Sequence, residues 1–391
     1  MIYSILVILV FGMLGNMLFK QLRLPGIPGM ILVGIIIGPF GLSLLDASII
    51  VNAPDIRMIA LVVILLRAGL GISKDTLNSV GKTAFKISII PCLFEGAAVM
   101  FVAHKILGMS LVDSGMLAFI IAAVSPAVLV PSMLYLKEKK LGMKKGIPVI
   151  LLAGASLDDV IAITMFSAFL GLALHTGQSV ILQIMFIPVQ IAAGVFIGLI
   201  IGYLMSLLFN SRKVVLSHME SLTMVIIAAF AILLMGEQFR IAGLLGIMTL
   251  GFVLLERAGN LANVLEKALN KVWFFAHIFL FVLIGSALNI PVALKAGAVG
   301  LLIVAIGLTG RSLGVLLSLA GSGLNSREKL FCVLAYSPKA TVQAAIGGIP
   351  LAMGLETGDF ILSVAVLAII ITAPLGAIAI NVSAPHLLEK A

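Results

Sequence analysis

The sequence is poor in charge, in cysteine and in polar linkers, and each shortage excludes something. Only 10% of its residues are charged, against about a quarter in ordinary soluble domains. With 62% hydrophobic residues and a mean hydropathy of +1.27, a soluble globular fold is ruled out. There are two cysteines, Cys92 and Cys332, each inside an apolar run, which suits packing and offers neither a disulfide framework nor a metal cluster. No GxxxxGK[ST], HExxH or TVGYG motif occurs, so a P-loop pump, a zinc protease and a potassium filter all lack support. No segment is long and polar enough to form a separate soluble domain. The first run, Ile2–Phe19, has no basic n-region and no small-residue cleavage pattern, so it reads as a retained span. Nothing calls for a cofactor, and nothing identifies an enzyme.

What is present is a succession of apolar runs. They are longer and less alternating than barrel strands, so the expected fold is an all-α polytopic membrane protein. A window of about 20 residues gives about thirteen transmembrane helices. They fall near 2–19, 27–45, 56–73, 83–106, 114–136, 146–174, 179–209, 219–236, 239–256, 271–289, 292–320, 328–350 and 359–382. The net charge of +9 does not point to nucleic acid, because most of the basic residues lie in short loops between spans. Lys20 and Arg23, then Lys74, Lys82 and Lys86, then Lys137, Lys139, Lys140, Lys144 and Lys145 occupy alternate loops. Arg212, Lys213, Arg257, Lys267, Lys271, Arg327 and Lys329 continue the parity. The positive-inside rule therefore puts the N-terminus outside and the C-terminus in the cytoplasm.

Two spans carry helix-breaking sequence. The fifth reads AAVSPAVLVPS, with Pro126 and Pro131, and the hydrogen-bond ladder is expected to fail between those prolines. The twelfth reads AYSPKATVQAAIGGIP, with Pro338, Gly347, Gly348 and Pro350. Counting roughly six spans, a linker span and six more puts the two breaks at corresponding places in two halves, and the odd linker inverts the second half. The expected architecture is thus two inverted six-helix repeats with crossed broken helices.

Immediately after the first break comes GASLDDVIAI at 154–163, with Asp158 and Asp159 inside an apolar run from about Ile147 to Leu174. Carboxylates at bilayer depth are costly and mark a site where something binds or moves. Successive helical residues point about 100° apart, so the two acids should have different surroundings and different roles. Glu95, Arg311 and Lys339 are the other ionisable groups deep in spans. Glu95 and Arg311 lie in equivalent spans of the two halves and are expected to pair. Lys339, inside the second break, is read either as neutralising the carbonyl end of a half-helix or as a purely structural counter-charge. Three carboxylates against two cations leave one surplus negative charge, which a proton or a small cation would balance. Adjacent carboxylates titrate as a pair, and Ser125, Ser156 and Thr341 are candidate further oxygen ligands. Competition of a proton and a cation for one site is the chemistry of exchange.

At VSPAVLVPS (124–132), GASLDDVIAIT (154–164), LLRAGLGIS (65–73) and YSPKATVQAAIG (336–347), the sequence resembles sodium/proton antiporters of the cation/proton antiporter superfamily, most closely the NHA branch. The resemblance runs over essentially the whole chain. It implies an NhaA-like fold in a homodimer, with an elevator-type moving core. It implies a dimerisation domain at 1–82 and 211–291, a core at 83–174 and 292–391, and a linker helix at 175–210. It also implies that Asp159 is the principal ion and proton carrier with Asp158 assisting, and that the acid and arginine at 95 and 311 pair. The resulting expectation is a Na⁺ or Li⁺/proton antiporter of the inner (plasma) membrane. A K⁺/proton antiporter and an ion-coupled organic-anion symporter of related fold are the alternatives. A symporter needs a roomy cavity with polar anchors, and only small residues and carboxylates lie near the break.

Overall fold

A computed structural model of the chain describes residues 1–22, 24–71, 74, 82–173, 180–210, 216–239 and 241–390. The helices are α1 (Ile2–Gln21), α2 (Gly26–Ile37), α3 (Ala47–Val51), α4 (Ala53–Leu70), α5 (Lys82–Phe101) and, after a π turn at Val102–Ile106, α6 (Leu111–Ile121) and α7 (Pro126–Glu138). There follow α8 (Ile147–Ala173), α9 (Val180–Phe209), α10 (His218–Phe239), α11 (Gly243–Arg257), α12 (Gly259–Ser286) and α13 (Ile290–Ser318). The chain closes with α14 (Ser326–Ala335), α15 (Thr341–Ile346), α16 (Ile349–Ala352) and α17 (Gly358–Leu387). Among the described residues the one extended pairing is an isolated bridge between Leu141 and Lys390.

The composition explains this. With few polar side chains in the apolar runs, every backbone amide has to be satisfied within its own segment, which only a helix achieves in hydrocarbon. Eight described helices are long and apolar enough to cross a membrane. Two expected boundaries are corrected. The stretch 257–270 reads as a loop by hydropathy, yet α12 begins at Gly259 and runs unbroken through it, because NLANVLEKALNK repeats its apolar residues at helical spacing. The run expected at 27–45 is helical only to Ile37 and then turns through Gly38–Leu45.

By packing, the chain divides into two units. The first comprises Met1–Arg57, Val80–Ala162 and Ile278–Ala391. Its frame is the pair α5 and α13, which approach closely because α13 presents Gly307, Gly310 and Gly314 to its neighbour. A Cβ on Gly310 would lie 2.8 Å from the carbonyl oxygen of Phe94, and one on Gly314 would lie 2.6 Å from the Cα of Pro91. Small residues permit such backbone contact between membrane helices. The same face carries Glu95 on α5 and Arg311 on α13, so this glycine stripe is what brings the two charges within reach. Beside it, Ile87, Leu129, Ile147, Leu151, Phe331 and Ile380 belong to one buried apolar cluster. The second unit comprises Met58–Ser79 and Ile163–His277. There, α9 and α11 use the same device, with Gly194 against the carbonyl of Ala242 and Gly198 against that of Gly246.

Candidate ion-binding site

The first interruption falls between Ile121 and Pro126. A residue before proline is driven out of the helical region, and proline itself is well suited to open a helix because its missing N–H needs no partner there. Ser125 is accordingly extended, at φ −90° and ψ 110°, and Pro126 is the first residue of α7. The break thus precedes Pro126, whereas the sequence placed it between Pro126 and Pro131; α7 runs through Pro131 because one missing donor within its second turn does not end a helix. Ser337-Pro338 interrupts the twelfth span in the same way, between Ala335 and Thr341, and Gly347 and Gly348 interrupt it again.

The two breaks touch. The Ser125 N–H donates to the Pro338 carbonyl at 2.8 Å. Gln343, in α15, reaches back with Nε2 to the carbonyls of Ile120 at 2.9 Å, Ile121 at 3.3 Å and Ala123 at 2.9 Å. The Lys339 N–H donates to Thr372 Oγ1 at 2.8 Å, which ties the second break to α17. Unwound backbone would be intolerable in hydrocarbon, and these contacts replace its missing partners.

Asp158, fully buried on α8, accepts from the Val124 N–H at 2.7 Å, so it satisfies the first break directly. Arg311 Nη2 lies 3.2 Å from the same Oδ2. Arg311 also donates from Nε to Glu95 and from Nη2 to the Ala122 carbonyl. Lys339 Nζ donates to Glu95 Oε2 at 2.6 Å. Glu95 and Arg311 therefore do meet, as their equivalent positions suggest. Of the two roles read for Lys339, its ammonium takes the counter-charge position on Glu95, and the carbonyl end of α6 is held by Gln343 and Arg311 instead. The physical reason is that a bare carboxylate in a buried site outcompetes partial charges on carbonyls for an ammonium.

Asp159 stands apart. Among the described residues no ion pair or side-chain hydrogen bond reaches it, and its buried Oδ1 has no hydrogen-bond partner. The hydroxyls of Ser125 and Thr341 are likewise buried and without partners. The side chain of Ser156 lies outside the described residues, as do Ile72 and Ser73 of the LLRAGLGIS stretch. The sequence analysis missed three groups. Gln343 and Thr372 sit in small-residue helices where a polar side chain is itself a signal. Tyr336 is fully buried with its ring 5.3 Å from the Arg311 guanidinium, and a Cβ on Gly154 would meet its hydroxyl at 2.7 Å. No group of three or more His, Cys, Asp or Glu side chains able to hold a metal occurs among the described residues.

The architecture has a solved counterpart. The sodium proton antiporter MjNhaP1 from Methanocaldococcus jannaschii superposes with a TM-score of 0.78, covering 98% of this chain and 97% of that one at 21% identity. At that identity the likeness defines the fold: the chain is a multi-pass helical membrane protein with the fold of that antiporter. The family model described as "Sodium/hydrogen exchanger, transmembrane" matches residues 5–382. Sodium/hydrogen exchanger 9B2 of Mus musculus is 33% identical over an alignment covering 100% of this chain and 74% of that protein. Human sodium/hydrogen exchanger 9B1 is 30% identical, over 100% of this chain and 78% of its own length. The chain belongs to the sodium/hydrogen exchanger family, within the cation/proton antiporter superfamily.

Proposed function

We propose that this protein is a secondary transporter, not an enzyme, and exchanges Na⁺ or Li⁺ for protons, with cation and proton competing for Asp159. One observation carries the reading. Asp158 is committed to Val124 and Arg311, and Glu95 to Arg311 and Lys339, while Asp159 Oδ1 is buried with no hydrogen-bond partner among the described residues. Of three carboxylates facing two cations, Asp159 is the one whose charge is left over, and an exchangeable positive charge is what it lacks. A proton neutralises it; a dehydrated alkali cation does the same using Asp159 together with the hydroxyls of Ser125 and Thr341. Family membership supports the choice of ions, since the relatives are described as sodium/hydrogen exchangers.

In this reading the core at 83–174 and 292–391 carries the crossing and moves as an elevator, joined through the linker 175–210 to a dimerisation domain at 1–82 and 211–291. The protein works as a homodimer in the inner (plasma) membrane, with its N-terminus outside and its C-terminus cytoplasmic. Proteoliposomes containing the purified chain and a trapped pH dye test it. Adding Na⁺ or Li⁺ is expected to drive proton flux. Flux with K⁺ alone would make it a K⁺/proton antiporter, and flux requiring an organic anion would make it a symporter.

A further inference from the structure

The carbonyl end of α6 is completely occupied. Ile120, Ile121 and Ala123 accept from Gln343, and Ala122 accepts from Arg311. The C-terminus of a helix carries partial negative charge, and beside it lie three carboxylates, so the natural occupant is a full positive charge. What stands there is a neutral amide. The assignment of its two ends follows from its partners: turned over, its oxygen would face three carbonyl oxygens. The arithmetic favours an ammonium too, because three acceptors surround one nitrogen, and an ammonium offers three N–H groups where the amide offers two. Gln343 is fully buried, four residues beyond Lys339 in the chain, and among the described residues its own Oε1 has no partner.

We propose that Gln343 is a positioning residue that pins the carbonyl end of the first half-helix without adding charge, and so keeps the buried cluster one positive charge short for the transported ion. Glu95, Asp158 and Asp159 face Arg311 and Lys339; a cation at 343 would complete that balance internally. The site would then have no need of Na⁺, Li⁺ or a proton. Hydrogen bonding alone does not require glutamine here, but exchange does. The inference rests on the reading of Asp159 as the exchange site.

The test compares Gln343→Lys and Gln343→Leu with the wild-type chain in proteoliposomes, measuring the Na⁺ and Li⁺ dependence of proton flux, alongside thermal melting in detergent. Gln343→Lys keeps donors on the three carbonyls, so it should melt within a few degrees of wild type. Its KM for Na⁺ and Li⁺ should rise by roughly tenfold or more, the scale of one added charge at an effective dielectric of about 20. Gln343→Leu strands the carbonyls but leaves the charge count alone, so it should melt lower and its KM should rise far less than that of Gln343→Lys. A folded Gln343→Lys with wild-type KM overturns the proposal, as does a Gln343→Leu whose KM rises as far. Should Gln343→Lys fail to fold, the leucine variant decides alone: lowered melting with a KM rise well short of about tenfold supports the proposal, and a rise of about tenfold or more sinks it. A wild-type chain without Na⁺- or Li⁺-driven flux removes the exchange reading itself, and this inference with it, which is a separate result.

Discussion

Lys339 Nζ rests 2.6 Å from Glu95 Oε2, and neither side chain has any exposed surface. The same carboxylate oxygen accepts from Arg311 Nε, so one acid holds two cations, one from α13 and one from the second break. Two buried like charges on a single counter-ion make Glu95 the electrostatic keystone of the first unit.

Glu95→Gln is therefore expected to destabilise the detergent-solubilised protein by roughly 3–5 kcal/mol, because Lys339 loses its carboxylate partner while Arg311 keeps only Asp158. The exchange Glu95→Arg with Arg311→Glu should not rescue it, since the new guanidinium would face Lys339. Thermal melting checks both. Recovery of most of the loss in the double variant would mean that Lys339 is not held by Glu95.

Asp159→Asn should leave the fold intact or stabilise it, as the carboxylate has no ion pair to lose and an amide is cheaper to bury than a charge. Na⁺- and Li⁺-driven proton flux should vanish. Robust flux in this variant would remove Asp159 from the carrier role.

Asp158→Asn should behave in the opposite way. Its carboxylate accepts the Val124 N–H and faces Arg311, so an amide there should cost about 1–3 kcal/mol through weakened charge-assisted hydrogen bonds. Transport should fall in part. Unchanged melting with complete loss of exchange would reverse the roles given to the two aspartates.

Gly314→Ala tests the frame beneath the site. The added methyl would meet the backbone of Pro91 at 2.6 Å, so α5 and α13 must separate, at an expected cost of about 1–3 kcal/mol. Because Arg311 lies one turn away, exchange should weaken along with stability. A variant that melts and transports like wild type would show that the helix pair has room to spare.

Orientation has its own check. A cysteine replacing Lys139 should react with membrane-impermeant reagents only from the cytoplasmic side, and one replacing Asn52 only from outside; both positions are exposed. The reverse pattern would overturn the topology read from the basic loops.

Much of this protein was set by its sequence alone. Scarce charge and long apolar runs compel helices, since hydrocarbon offers no other partner for backbone amides. Ser125-Pro126 and Ser337-Pro338 favour breaks, because proline disfavours the helical conformation of the residue before it, although α7 running through Pro131 shows that proline alone does not decide. Charges placed at Glu95, Asp158, Asp159, Arg311 and Lys339 announce a site, because nothing in a bilayer retains them idly. Which partner each charge takes was decided only in three dimensions. Nothing local tells Lys339 to prefer Glu95 over a carbonyl, or assigns Val124 to Asp158 and leaves Asp159 Oδ1 bare; Glu95 and Lys339 are 244 positions apart in the chain. The role of Gln343 was hidden for the same reason, although its lone polar side chain was itself a signal. An amide in VQAAIG acquires its meaning only when the end of another half-helix is brought against it, and that approach depends on the packing of helices remote in sequence.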